Sequence, residues 1–120
     1  MRRIQVVLLS LLLVLLLSPL PVMAAEVLRV SSSSLLQVGD HNRTYTVRLA
    51  CLEVDSSNEL EAMAWLKSEL PRRRRVNLRP EGASDGVLLA RVSSIGNDVD
   101  LSAGLANAGL GRLTCDSAPS

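Results

Sequence analysis

The sequence predicts an α+β domain that is mainly β: a five-stranded barrel of the oligonucleotide/oligosaccharide-binding type, with a helix after the third strand and a short helix near the C-terminus. Three observations predict it. Five short runs rich in aliphatic and β-branched residues are separated by Gly, Pro, Asn, Asp and Ser clusters. Between the third and fourth runs the apolar period changes from two to about 3.6. There is no internal repeat and no long linker, so the elements belong to one domain.

Residues 26–30 read as the first strand, with Val27, Leu28 and Val30 apolar and Arg29 polar. A serine run, Ser31-Ser32-Ser33-Ser34, breaks it. Residues 35–38 form the second strand, closed by the turn cluster Gly39-Asp40-His41-Asn42. Residues 43–52 are the best strand in the chain: Tyr45, Val47 and Leu49 alternate with Thr44, Thr46 and Arg48. Ser56 followed by Glu59 has the spacing of a capping box. Leu60, Met63, Leu66 and Leu70 then recur at helical spacing until Pro71 stops the helix. Residues 76–79 are a strand ended by Pro80-Glu81-Gly82, and residues 87–92 are the fifth, ended by Gly96-Asn97-Asp98. Asp100 can cap a short helix over residues 101–108, with Gly109 at its end.

The N-terminus has a separate meaning. Arg2 and Arg3 precede an almost unbroken Leu/Val run over residues 4–17, followed by Pro19, Pro21 and the small residues Ala24 and Ala25. A basic start, a short apolar core and a small-residue end describe a secretory leader. A transmembrane helix needs ~20 apolar residues, and the prolines end this run early. The expected leader is residues 1–24, cut after Ala24 or Ala25. The expected domain is residues 25–115, and a polar tail over 116–120 is expected to fray. The destination would be the periplasm or the exterior, with no membrane span left after the cut.

Removing Arg2 and Arg3 from the 13 basic residues leaves 11 against 12 acidic ones, so bulk charge does not mark a polyanion binder. A domain this short has a small core, and one Trp, one Tyr and no Phe add little aromatic packing. Cys51 and Cys115 are the only cysteines. An even count in an exported chain favours a disulfide over a metal or catalytic role.

Several stretches, in order, carry a likeness to a known family. They are Ala25-Glu26-Val27-Leu28-Arg29-Val30, Tyr45-Thr46-Val47-Arg48-Leu49-Ala50, Ala64-Trp65-Leu66-Lys67, Leu70-Pro71 with Arg75-Val76-Asn77-Leu78, Leu88-Leu89-Ala90-Arg91-Val92, and Val99-Asp100-Leu101 through Ala108-Gly109-Leu110. Over residues 25–115 the chain resembles the staphylococcal-nuclease-like (thermonuclease) family. That resemblance implies hydrolysis of phosphodiester bonds in DNA and RNA, usually with Ca²⁺. It also supports the Cys51–Cys115 pair, because secreted members often carry cysteines at these two places.

Such chemistry needs two carboxylates for a hard cation, a Glu that activates water and two Arg side chains on the phosphoryl oxygens. The resemblance places Ser33 where the first metal-binding Asp would be. Arg48 stands at the first catalytic Arg, Glu53 at the second metal carboxylate, Ser56 at the general-base Glu and Val87 at the second catalytic Arg. One position of five is kept, one is altered conservatively and three carry groups that cannot do the work. Asp55 and Arg91 are the neighbours that could compensate. On the same resemblance, the family's C-terminal helix is not expected after Cys115.

Other polar features have bland readings. Asp40-His41 in a turn is a solvated pair, and Asn42-Arg43-Thr44 is a glycosylation sequon by pattern only. Arg72-Arg73-Arg74-Arg75 is either an anion patch or a solvated corner answered by Glu59, Glu61 and Glu69. With no aromatics beyond Trp65 and Tyr45, a base-stacking platform is not expected.

The sequence thus predicts an exported, monomeric, catalytically degenerate domain that binds a protein or nucleic-acid partner and needs no cofactor. The alternative is a weak phosphodiesterase that uses Ca²⁺.

Overall fold

Alternation of inward Val and Leu with outward polar residues curls the chain into a closed barrel. The computed structural model describes residues 23–96 and 98–115. The expected leader apart from Met23 and Ala24, and the expected frayed tail, lie outside the described residues.

Strand β1, Met23–Val30, pairs antiparallel with β2, Leu35–Asp40, which pairs antiparallel with β3, Arg43–Leu49. With β5, Arg75–Ser84, and β6, Val87–Ser94, the barrel order is β1-β2-β3-β6-β5, closed by β5 against β1. The pair of β3 with β6 is parallel. The five-stranded barrel with two helices is the predicted fold class, consistent with a small oligonucleotide/oligosaccharide-binding type of domain. Val27, Leu36, Val38, Val47, Leu49, Val76, Leu78, Ala90 and Val92 point inward and form one core with Ala62, Leu66, Leu70, Leu101 and Leu105 of the helical segments. Burying each aliphatic side chain contributes about 1.5–3 kcal/mol.

Two expectations about the strands need correction. The third strand does not run to residue 52: it stops at Leu49, and Cys51 turns the chain with φ 62°. A separate strand β4, Leu52–Glu53, then pairs with β7, Arg112–Leu113. Pro80 does not end β5. It lacks an N–H, so the ladder shifts register between Pro80 and Gly82 and resumes to Ser84. A two-residue Asp85-Gly86 turn, both residues at positive φ, then closes a β5–β6 hairpin with Ser84 opposite Val87.

Helix α1, Glu59–Glu69, follows a short 3-10 turn, Ser56–Asn58. The expected capping box is not formed: Asn58 occupies the cap position without a side-chain bond, and the Glu59 side chain is used elsewhere. Helix α2, Leu101–Asn107, is capped as expected, with Asp100 accepting from the Ala103 N–H at 3.0 Å. Trp65 of α1 lies against Gly104 of α2, where an added Cβ would come within 2.6 Å of the ring.

The register places the ends of β1, β3 and β6 and the starts of β2 and β5 together. Both helices are anchored at that end of the barrel. Ser102 donates to the Ala50 carbonyl at 2.8 Å, and Glu59 reaches the β1–β2 turn. The residues that the resemblance singles out, apart from Val87, fall at or next to this end.

Candidate functional site

Ser33 lies in the β1–β2 turn and is buried. Its N–H donates to Glu59 Oε1 at 3.1 Å, and its hydroxyl donates to Glu59 Oε2. These two bonds, the hydroxyl first, hold the Glu59 carboxyl below its ordinary range. Glu59 is a site residue that sequence reasoning missed. Its signal, the Ser56-to-Glu59 spacing, pointed to a local cap, whereas the partner lies 26 residues away.

Glu53 lies on β4, directly opposite Arg112 of β7. The Arg112 guanidinium meets Glu53 Oε1 at 3.2 Å and Asp55 Oδ1 at 3.5 Å. All three side chains are more than half exposed, so each pair contributes little by itself. The ribbon is held mainly by other means. Cys51 and Cys115 form a disulfide with Cα atoms 4.9 Å apart, as expected from the cysteine count. Thr114 also donates to the Cys51 carbonyl at 2.9 Å. The segment around Cys115 is therefore anchored by pairing as well as by sulfur, which the sequence reading did not anticipate. Ser56 is exposed in the 3-10 turn and has no side-chain bond among the described residues.

Arg48 points outward from β3 between Leu35 of β2 and Leu89 of β6, its register partners. It has no carboxylate within 4 Å among the described residues. Val87 opposes Thr46, two residues before Arg48, so the two positions share one outer face. Arg91 is not free to compensate: it makes a two-pronged pair with Asp100, at 3.3 and 3.0 Å. Asp40 and His41 form a 3.6 Å pair with His41 almost wholly in water, as the turn suggested. Asn42 is exposed on the same turn. A shallow cleft of about 510 Å³ is lined by Glu26, Asp40, His41, Arg43 and Arg75 among others, and it includes neither Arg48 nor Glu53.

Arg72, Arg73 and Arg75 are exposed and Arg74 is half-buried. The expected answer from Glu59, Glu61 and Glu69 does not take the form of ion pairs: none lies within 4 Å of these guanidinium groups.

The Ca²⁺ that the resemblance implies does not fit the donors present. Ser33 is neutral and spends its hydroxyl proton on Glu59. Glu53 and Asp55 already face a guanidinium. Among the described residues no three Asp, Glu, His or Cys side chains converge as metal ligands. Also among the described residues, no helix is long and apolar enough to cross a membrane. A scan against protein-family models and a search of curated proteins both find no match.

Proposed function

We propose that this chain is an exported domain of staphylococcal-nuclease-like type that acts by binding a partner and not by cutting phosphodiester bonds. One observation carries the reading: the side chains at the positions that would hold a metal ion are engaged in internal bonds. Ser33 is tied to Glu59, and Glu53 shares Arg112 with Asp55. A serine in place of the general-base carboxylate removes ~10²–10⁴ in rate. A valine in place of a phosphate-binding Arg removes a further ~10²–10³.

What remains on that face suits binding. Arg48 is exposed, has no carboxylate within 4 Å among the described residues, and has Leu35 and Leu89 as its register partners. A planar guanidinium in an apolar frame is the kind of group that anchors an acidic or phosphorylated partner. The disulfide agrees with an oxidising compartment.

The test is a DNA and RNA cleavage assay of the purified, exported protein with Ca²⁺, with and without chelator. The expected result is no cleavage above the chelated control. Cleavage above that control, abolished by chelator and by Arg48→Ala, would overturn the reading and restore the weak phosphodiesterase.

A further inference from the structure

Four consecutive arginines join α1 to β5, and the backbone there is not relaxed. The Arg74 N–H donates to the Pro71 carbonyl at 2.9 Å, closing a turn whose third residue is Arg73. Arg73 has φ 72°, a conformation that glycine adopts freely and a side chain resists. Among the described residues, Arg74 Nε is buried without a hydrogen-bond partner. Two adjacent arginines thus sit where another residue would be more stable. Neither packs a core, so folding alone does not account for them.

The run is pinned in place. Arg73 donates its N–H to Val27 at 2.7 Å, and Val27 donates to the Arg74 carbonyl at 2.9 Å. Two residues further along β1 stands Arg29, exposed. Glu26 faces Arg75 across the seam and Glu69 ends α1 just before Pro71, but no carboxylate lies within 4 Å of any of these five arginines among the described residues. The near-neutral net charge therefore hides a local excess of positive charge.

One exposed aliphatic side chain adjoins it, and a second lies four residues further on. The Ile95 N–H donates to the Arg75 carbonyl at 3.0 Å, and Val99 stands next to exposed Asp98. They are 38% and 39% exposed, among the most exposed large apolar residues described. Both the loop and the arginine corner lie at the helix-bearing end of the barrel.

We infer that this end of the barrel docks on an anionic lipid surface, with Arg29, Arg72, Arg73, Arg74 and Arg75 meeting lipid phosphates and Ile95 and Val99 entering the headgroup layer. Basic residues beside exposed aliphatics match a charged interface over an apolar one. A nucleic acid fits less well. Tyr45 and Trp65 are half-buried, so no ring is offered for base stacking, and the two aliphatics would have no use on a phosphate backbone. The inference goes beyond the binding reading, in that it names a surface and its partner.

The experiment is sedimentation of the exported protein with phosphatidylcholine vesicles, with and without phosphatidylglycerol, at low and high salt. Binding is expected only with phosphatidylglycerol, and it should weaken as salt rises. Each arginine removed should weaken it roughly five-fold. Arg73→Gly is the decisive variant: it should bind less while melting no lower than the parent, which separates lost contact from misfolding. Ile95→Ser with Val99→Ser should weaken binding without changing its salt dependence. Equal binding to neutral vesicles, indifference to salt, or full binding after all four corner arginines become Gln would overturn the inference. So would duplex DNA binding that depends on these arginines while vesicles stay unbound. An uncut leader, seen by intact mass, adds equally to every variant and cannot imitate arginine dependence. Cleavage activity would overturn the proposed function and leave this docking intact.

Discussion

The barrel and the β4–β7 ribbon are built on opposite principles. The barrel is held by many buried aliphatic side chains, each replaceable in kind, along five paired strands. The ribbon is two residues on each side, largely exposed, and is fastened by one covalent bond and a short run of backbone pairing, to which the solvated Arg112 pairs add little. The first kind of order is spread over the chain and tolerates small changes. The second is concentrated in Cys51 and Cys115, and it fails or holds at that one bond.

Substitutions can break that comparison at either side. Leu36→Ala removes a fully buried side chain from the barrel wall and should cost about 2–5 kcal/mol, measured by denaturant unfolding. A cost below that range would mean the core can collapse around the gap. Replacing both cysteines by serine opens a loop with a sequence separation of 64 and should cost up to about 4 kcal/mol. Thr114 should also lose protection from amide exchange while barrel amides keep theirs in the cold. Simultaneous loss of both would show that ribbon and barrel are one cooperative unit.

Smaller effects sharpen the picture. Ser33→Ala should destabilise by about 1–2 kcal/mol near neutral pH, because it removes a bond to a charged carboxylate. The sign with pH follows from Glu59. Its folded pKa is depressed, so the bond's contribution is fully present above the unfolded value and fades as pH falls through the folded one. Parent and variant should therefore converge in melting temperature under acid. A gap that persists there would mean the loss is one of packing. Arg112→Ala should cost under about 1 kcal/mol, since both its pairs are solvated, and that loss should shrink further in high salt.

How much could be read in advance follows the same division. Period-two alternation in Tyr45, Val47 and Leu49 and helical spacing in Met63, Leu66 and Leu70 report burial directly, so the barrel and both helices were visible. The Asp100 cap was visible because its bond is local. Strand ends were less so. Pro80 reads as a stop, yet a bulge absorbs it, and Asp85-Gly86 was the better punctuation. The ribbon was invisible because two-residue strands carry no period. The Ser33–Glu59 and Arg112 pairs join residues far apart in sequence, and no local pattern marks them. Cysteine counting succeeded where periodicity could not, because pairing two thiols needs no pattern between them.

The barrel's closing seam runs through the junction at which the proposed leader would be cut. The ladder between β1 and β5 runs through Met23, Ala24, Ala25 and Glu26, opposite Leu78, Asn77, Val76 and Arg75. On the proposed cut after Ala24, the scissile bond lies inside that ladder, and Met23 and Ala24 depart with two of its rungs. Ala25, buried at 4% exposure, stays as the first residue, whereas a cut one residue later would strip it from the core. A peptidase must hold its substrate as an extended, unpaired segment, so a closed barrel and a cleavable junction exclude each other. If the chain is cut there, processing must precede closure, and the mature molecule would be a cylinder whose last joint is sealed by its own newly made end.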